Sequence, residues 1–253
     1  MANAQPAGDS PYKFNPLLDG VLLGGGILLW EAPSLLIPQD SGHSSCDPCN
    51  PNDLNALDRA ALGPHYVAAR TAANAYFASS ALFLVFDIVD AGPKNWRSYL
   101  TDFGVVAEAI AWDGVAQQLI SHAVRRSRPY LYIPGAYQSE RNTLEATASF
   151  YSGHASSMFT LGTAFALTYT LRHPHSRWTP LVWVASLTIA AVEPTLRVFS
   201  GEHFVSDVLV GSAVGTAFGL VIPTLHRVPL VHHARLVPNA SSTTAGVSLV
   251  SAF

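Results

Sequence analysis

Six long apolar stretches, separated by polar segments, are the feature that most constrains how this chain folds. Each has roughly the 17 to 25 residues that a helix needs to cross a bilayer. They run approximately from Leu17 to Ile37, Ala73 to Val89, Phe103 to Val124, Ala155 to Leu171, Leu181 to Leu196 and Val208 to Leu225. Only 12% of the 253 residues are charged, about half of the roughly 25% that is usual in soluble proteins. A soluble all-helical protein is the alternative, but it would have to bury six helices on all sides.

The pattern therefore predicts an all-α fold, a six-transmembrane-helix bundle that residues 1–226 form as a single domain. Residues 227–253 contain His232, His233 and a Ser/Thr run, and we expect them to form a mobile tail. The formal net charge of −3 argues against a nucleic-acid partner, because such partners require a basic surface.

The distribution of lysine and arginine predicts the orientation, because cytoplasmic loops carry an excess of both. An inside N-terminus places Lys13, Arg97, Arg172 and Arg227 inside, and the arginines of 125–141 outside. We expect this orientation if the outer arginines serve chemistry. The opening Met-Ala-Asn-Ala-Gln has the small residues of a cleavage site, and removal of a signal peptide before it would invert the orientation.

Cys46 and Cys49 are the two cysteines of the chain and lie in the polar segment after the first apolar stretch. A zinc site needs four ligands, and His43 is the sole nearby donor that could join them. A short disulfide on the oxidising side of the membrane is the favoured interpretation, with free thiols as the alternative. A disulfide would favour an outward-facing segment.

The first of three polar clusters ends the third apolar stretch and contains Ser121, Arg125 and Arg128, followed by Pro129. Proline disfavours helical geometry at the residue before it, so we expect the helix to end there. At spacings of i, i+4 and i+7 the three residues share one helix face. Two guanidinium groups on that face suit a phosphate, although arginines that reach toward lipid head groups would give the same pattern.

The second cluster, Ser152, Gly153 and His154, stands where a polar segment gives way to the fourth apolar stretch. The start of a helix has free backbone N–H groups and the positive end of the helix dipole, which together attract an anion. Gly153 would let a phosphate approach the backbone, and Ser152 offers a hydroxyl. Ordinary helix capping by Ser152 is the alternative.

The third cluster joins the fifth and sixth stretches and contains Arg197, His203 and Asp207. If the last helix begins near His203, Asp207 lies one turn further on the same face. Its carboxylate would then hold the imidazole Nδ1–H and leave Nε2 free as a base or nucleophile. A capping pair without chemistry is the alternative.

All three clusters fall on the same face of the predicted bundle, because they lie where odd-numbered stretches end and even-numbered ones begin. Arginines, two histidines and an aspartate without a metal-ligand pattern are suited to phosphoryl transfer through a phosphohistidine. This arrangement favours chemistry over three unrelated surface clusters.

The three clusters resemble the signature of the type 2 phosphatidic acid phosphatase superfamily, whose members include membrane lipid phosphatases, bacterial acid phosphatases and vanadium haloperoxidases. The matching parts are Arg128-Pro129, Ser152-Gly153-His154 and Arg197-x5-His203-x3-Asp207. The third part, with two fixed spacings, is the most specific. The resemblance implies a metal-independent lipid phosphatase without a cofactor, in a bacterial-type plasma (inner) membrane, with its active site facing outward.

The resemblance also implies a role for each matching residue. His203 would attack phosphorus, Asp207 would orient it, and His154 would protonate the leaving oxygen and later activate water. The groups that would hold the equatorial oxygens are Arg128, Arg197, Ser152 and the N–H of Gly153. The substrate would be a phosphomonoester or diphosphate of a membrane lipid, of the phosphatidate or polyprenyl type.

The sequence departs from the family pattern at two positions. The family has a lysine seven residues before the arginine of the first part, and Ser121 stands there. We expect Arg125, one turn along the same face, to supply that charge. Tyr151 replaces a proline before Ser-Gly-His, which we expect to be tolerated. The alternatives are a phospholipid-binding relative without activity, which the serine favours, and a vanadium haloperoxidase.

Overall fold

The computed structural model describes residues 10–38, 44, 46–63, 67–92, 95–227, 235–240 and 245–250, the last two ranges by their backbone. Within these ranges the chain forms eight α-helices and two strands. The helices are α1 (Leu18–Leu36), α2 (Ala56–Arg59), α3 (Val67–Phe77), α4 (Ala81–Ala91), α5 (Trp96–Val124), α6 (Gly153–Arg172), α7 (Thr179–Phe199) and α8 (Val205–Leu225). The strands are β1 (Arg235–Ala240) and β2 (Ala245–Val250).

Each of the six predicted apolar stretches is helical. The second is longer than predicted, because a 3-10 turn at Ala78–Ser80 joins α3 to α4. Among the residues that the structure describes, three helical segments are long and apolar enough to cross a membrane, namely Val67–Ala91, Thr179–Phe199 and Val205–Leu225. Large apolar side chains are exposed on the outside of the bundle, where they suit contact with lipid. The chain is an integral membrane protein; that all six segments cross the bilayer stays a prediction.

Three glycines of α8 let it pack closely against α6. A Cβ atom added at Gly211, Gly215 or Gly219 would lie 2.6, 2.0 or 2.6 Å from a backbone carbonyl oxygen of α6 or of its N-cap residue, Ser152. Small residues at this spacing allow two helix backbones to approach, as in membrane helix pairs. The hydroxyl of Thr160 on α6 also donates to the carbonyl oxygen of Gly215, at 3.1 Å. This contact holds together α6, whose first turn carries His154, and α8, whose first turn carries Asp207 and which directly follows the turn with His203.

Acidic side chains inside the bundle find different partners. Asp113 of α5 is fully buried and accepts hydrogen bonds from the hydroxyls of Ser156 (2.8 Å) and Thr160 (3.3 Å) on α6. Arg172, at the end of α6, forms ion pairs with three aspartates. These are Asp87, Asp90 and Asp102. The charge of the arginine thus offsets much of the cost of burying carboxylates at the end of the bundle away from the predicted site.

Two paired strands lie in the C-terminal segment. β1 and β2 pair in antiparallel register, from Arg235 opposite Val250 to Ala240 opposite Ala245. Residues 228–234, which include His232 and His233, as well as 241–244 and 251–253, lie outside the described residues. The mobility of the tail stays a prediction.

Candidate active site

A cavity of about 250 Å³ lies where α6 and α8 begin and α5 ends. Its walls contain one or more residues from each of the three polar clusters. Four of the predicted site residues line it, namely Arg128, Gly153, His154 and His203. The tertiary structure thus brings together side chains that are up to 75 residues apart in the chain.

The first turn of α6 presents His154 to the cavity. The hydroxyl of Ser152, the N-cap residue, accepts a long hydrogen bond of 3.4 Å from the N–H of Ala155. Capping therefore occupies the serine, while Gly153 and His154 line the cavity. The ring of Phe77 packs edge-on against the His154 imidazole, with 4.6 Å between ring centroids. This contact limits the orientations of the histidine.

His203 is oriented by a backbone carbonyl rather than by the predicted aspartate. Its Nδ1 lies 2.8 Å from the carbonyl oxygen of Ser149 and 3.8 Å from Oδ2 of Asp207. The second distance is too long for a hydrogen bond. An Nδ1–H that donates to Ser149 leaves Nε2 unprotonated. Burial, together with the nearby Arg128, lowers the pKa of His203 and favours the neutral imidazole that a nucleophile requires.

Asp207 has other partners because it lies in the first turn of α8. Its Oδ2 accepts hydrogen bonds from the N–H of Phe204 (2.9 Å) and the hydroxyl of Ser149 (2.6 Å). Its Oδ1 forms an ion pair of 2.5 Å with Arg126. The expected direct contact from Asp207 to the histidine is therefore replaced by an indirect one, since Ser149 contacts both residues.

Arg128 lies after the end of α5, where three acceptors hold its guanidinium group. Its Nε donates to the carbonyl oxygen of Glu145 at 2.7 Å, one NH2 group contacts the Glu145 carboxylate, and the other contacts Glu202. Glu202 is 3% exposed. Burial opposes its ionisation, but Arg128 and Arg70 outweigh that effect and hold the pKa of Glu202 below its usual range. The side chain of Glu145 is 66% exposed, so this partner is free to leave.

Arg197 is buried behind the cavity rather than in its wall. Its Nε donates to Glu193 at 2.7 Å, and one NH2 group donates to the amide oxygen of Asn74 at 2.8 Å. Its carbonyl oxygen accepts hydrogen bonds from the N–H groups of Glu202 and His203. In this arrangement Arg197 supports the turn that carries His203.

The alignment predicted for Arg125 does not form. α5 ends at Val124, and Arg125 takes a left-handed conformation with φ of 48°, so Arg128 lies beyond the helix. The side chain of Arg125 is exposed, and its Nε donates to the carbonyl oxygen of His122 at 3.3 Å. Ser121 is buried and donates to the carbonyl oxygen of Gln118. Arg125 is thus absent from the described wall of the cavity, where a substitute for the motif lysine was expected.

Sequence reasoning missed Arg126 and Asp58. Arg126 forms ion pairs with Asp207 and with Asp58, the second at 2.7 Å. Asp58 is fully buried and accepts hydrogen bonds from the N–H and hydroxyl of Ser206. Burial would raise the pKa of Asp58, but the bonds from Ser206 and Arg126 lower it below the usual value. The pair of adjacent arginines, Arg125 and Arg126, was the one feature of the sequence that indicated an inward-facing arginine. The sequence does not indicate which of the two faces inward.

The structure joins Cys46 and Cys49 by a disulfide. Cys49 is buried against Tyr130 and Leu131, and its N–H donates to the carbonyl oxygen of Leu131 at 3.0 Å. This loop therefore packs directly on the turn that follows Arg128. His43, the additional donor considered for zinc, lies outside the described residues.

The chain is similar to known proteins in sequence and in fold. A sequence model of the PAP2 superfamily matches residues 103–228, about half of the chain, and this range contains the three clusters. A lipid A 1-phosphatase of Porphyromonas gingivalis is 37% identical over 87 residues, which are 34% of this chain and 18% of that protein. The chain thus spans less than a fifth of this curated relative.

A solved structure, the transmembrane PAP2 type phosphatidylglycerolphosphate phosphatase of Bacillus subtilis, has a similar fold. The TM-score is 0.50 at 20% sequence identity, over 82% of this chain and 94% of that one. The helical fold, the three clusters around one cavity and the sequence match all lead to one conclusion: this chain belongs to the PAP2 superfamily.

Proposed function

We propose that this protein is a membrane lipid phosphatase that hydrolyses a phosphomonoester or diphosphate through a phosphohistidine on His203. The observation that carries the proposal is the pair of histidines, His154 and His203, which line one cavity together with Arg128. A nucleophile, an acid and a cation around one cavity form a minimal set for displacement at phosphorus.

In the first step, Nε2 of His203 attacks phosphorus and the bond from phosphorus to the leaving oxygen breaks. His154, in its protonated form, gives its proton to that oxygen. The hydrogen bond from Nδ1 to the carbonyl oxygen of Ser149 supports this role, because it directs the unprotonated Nε2 away from the backbone. As phosphorylation develops positive charge on the ring, the carbonyl oxygen of Ser149 and the carboxylate of Asp207 would stabilise it.

In the second step, neutral His154 takes a proton from water, which attacks phosphorus and breaks the bond to His203. Inorganic phosphate leaves and both histidines return to their starting forms. We assign the phosphate oxygens to Arg128 and to the N–H groups at the start of α6, where the helix dipole favours an anion. Since Glu145 contacts Arg128 in the free protein, its carboxylate would move aside when substrate binds.

A lipid substrate fits the surroundings of the cavity. The walls contain the apolar rings of Trp30 and Phe77 beside the polar groups, and the protein is an integral membrane protein. The two relatives described above are named for lipid substrates. We propose a six-span bundle in a bacterial-type plasma membrane with this site facing outward; the disulfide of Cys46 and Cys49 beside the site supports that orientation.

A phosphate-release panel tests the proposal. Purified protein in detergent is offered phosphatidate, phosphatidylglycerol phosphate, diacylglycerol pyrophosphate and undecaprenyl diphosphate, with His203→Ala as the blank. His122→Ala is the matched control, because His122 lies near the end of α5 and is not among the residues of the cavity wall. We expect release by the wild type and His122→Ala alone. Absence of release from every substrate would reject the phosphatase.

Trapping the phosphoenzyme tests the mechanism separately. With p-nitrophenyl phosphate, whose leaving group needs no proton, His154→Ala should still phosphorylate His203 but should hydrolyse it slowly. We expect an acid-labile, alkali-stable phosphoprotein to accumulate in His154→Ala and to be absent from the double variant with His203→Ala. Turnover without any phosphoprotein in His154→Ala would contradict the covalent mechanism.

Ser121 favours a second candidate, a relative that binds a phosphorylated lipid without hydrolysing it. Serine carries no charge, and the side chain of Arg125 contacts the carbonyl oxygen of His122 and is not among the residues of the cavity wall. Such a binder would retain affinity for phosphatidate vesicles in the His203→Ala variant and would release no phosphate in either form.

A further inference from the structure

A second cluster of ionisable side chains lies at the end of the bundle opposite to the cavity. Asp19 is in the first turn of α1, Glu108 is in α5, and His226 directly follows α8. α8 begins beside the cavity and has 21 residues, which places His226 about 30 Å from the first turn of α8. One donor atom of each residue lies within 4.8 Å of the other two.

Two hydrogen-bond acceptors of this cluster, one on His226 and one on Glu108, face one another. Nδ1 of His226 lies 3.1 Å from the carbonyl oxygen of Lys13, which can accept its proton; in the neutral ring Nε2 then has a lone pair. This Nε2 is 3.3 Å from Oε2 of Glu108. Glu108 is 4% exposed, and its Oε2 has no hydrogen-bond partner among the described residues. Two acceptors at this distance are satisfied by a positive charge between them, either a proton on the imidazole or a metal ion.

The charges lead to the same conclusion. Asp19 is 5% exposed, and within the described ranges neither it nor Glu108 forms an ion pair with an arginine or a lysine. Elsewhere in the bundle, three aspartates share Arg172. Among the described residues, His226 is thus the one basic side chain that these two carboxylates contact, and two buried carboxylates beside a single imidazole are costly in a membrane protein.

We propose that Asp19, Glu108 and His226 bind a divalent metal ion of the zinc type. One imidazole and two carboxylates are ligands that zinc accepts, with water at the fourth position. Around a tetrahedral zinc ion with bonds of about 2.1 Å, ligand atoms lie about 3.4 Å apart, close to the 3.3 Å between His226 and Glu108. A metal-bound histidine usually donates its other N–H to a carbonyl or carboxylate, as His226 does to Lys13.

The metal would join three elements that are distant in sequence. The segment before α1 already contacts the end of α8, because the N–H of Lys13 donates to the carbonyl oxygen of His226 at 2.8 Å. A bound ion would add α5 to this contact. The site is independent of the proposed phosphatase chemistry, and its role is structural.

Metal binding by the purified full chain tests the proposal. Protein treated with chelator is titrated with Zn²⁺ in a calorimeter, and Co²⁺ is added in parallel to record the visible spectrum of a four- or five-coordinate site. We expect one Zn²⁺ per chain and a higher Tm with metal. Glu108→Gln should weaken binding about 100-fold or more, since outer partners of metal ligands alone contribute 10- to 100-fold. A wild type that binds no Zn²⁺ overturns the proposal.

Two controls show whether binding belongs to this cluster. His175→Ala removes an exposed histidine from the loop between α6 and α7, at the same end of the bundle. The double variant H232A/H233A removes two histidines of the tail. Both should bind Zn²⁺ like the wild type. Glu108→Gln is nearly isosteric, so its Tm without metal should stay close to that of the wild type; unchanged Zn²⁺ affinity in this variant rejects the cluster as the site.

Discussion

Replacing Gly215 with alanine should damage both stability and activity, because α6 and α8 touch at this residue. The added Cβ atom would lie 2.0 Å from the carbonyl oxygen of Ser156, whereas ordinary van der Waals contact begins at 3.4 Å. Because the obstacle is backbone, the helices would have to separate locally by about 1.4 Å. Overpacking of this kind costs about 1 to 3 kcal/mol, which exceeds the gain of about 1 kcal/mol in helix propensity.

The same displacement should reach the chemistry. α6 carries His154 and the turn before α8 carries His203, so separating these helices moves the acid away from the nucleophile. A misplacement of about 1 Å costs about 100-fold in rate. We therefore expect kcat/KM of Gly215→Ala to fall about 100-fold and its Tm in detergent to fall by several degrees.

A glycine in open space provides the control for this prediction. An alanine at Gly24 of α1 would meet no atom within 4 Å, so Gly24→Ala should keep full activity and an equal or higher Tm. Phosphate release and thermal unfolding are measured for both variants in the same detergent. If Gly215→Ala stays within about threefold of the wild type in kcat/KM, the close contact does not position the site and the reasoning is refuted.

Three further predictions concern the polar groups of the site. Glu145→Gln should lower KM and strengthen inhibition by inorganic phosphate by about two- to fivefold, as expected for an exposed ion pair. Glu140→Gln, whose partner is Arg70, should do neither. Equal effects of the two variants would contradict the idea that Glu145 competes with phosphate for the guanidinium group of Arg128. Arg125→Ala should change kcat/KM by less than about threefold, or under 1 kcal/mol, and a larger loss would contradict its exposed position. Since the pKa of His203 is lowered, its neutral imidazole should persist as the pH falls. The acid limb of the pH profile of kcat/KM assigned to His203 should therefore lie below the ordinary histidine pKa of 6.5. An acid limb above that value would contradict the effect of burial.

The helices could be predicted from hydropathy because a long apolar stretch has few alternatives in a membrane. In lipid, backbone groups must find partners within the segment, which makes helices the default. The predicted ends were less accurate. The second stretch extends from Val67 to Ala91, and α5 ends at Val124 rather than beside Pro129. A left-handed residue ends α5 earlier than proline alone would require, and hydropathy contains no information about such a residue.

Hydropathy does not predict which groups each charged side chain contacts. Spacing along a helix suggested that Arg125 replaces the missing lysine and that Asp207 holds His203. Both inferences assumed that the residues belong to one continuous helix. In the structure Arg125 follows the end of α5, and Asp207 serves as a cap for α8 and as a partner of Arg126.

The sequence by itself determined that the chain is helical, that it resides in a membrane, and that three polar clusters lie at one face. These properties follow from the length of the apolar stretches and from the way polar segments alternate with them. The tertiary structure alone decided that the carbonyl oxygen of Ser149 orients His203 and that Arg126, not Arg125, turns inward. The physical reason is that hydropathy acts over whole segments, whereas a hydrogen bond depends on distances of a few tenths of an ångström, which only packing between distant segments sets.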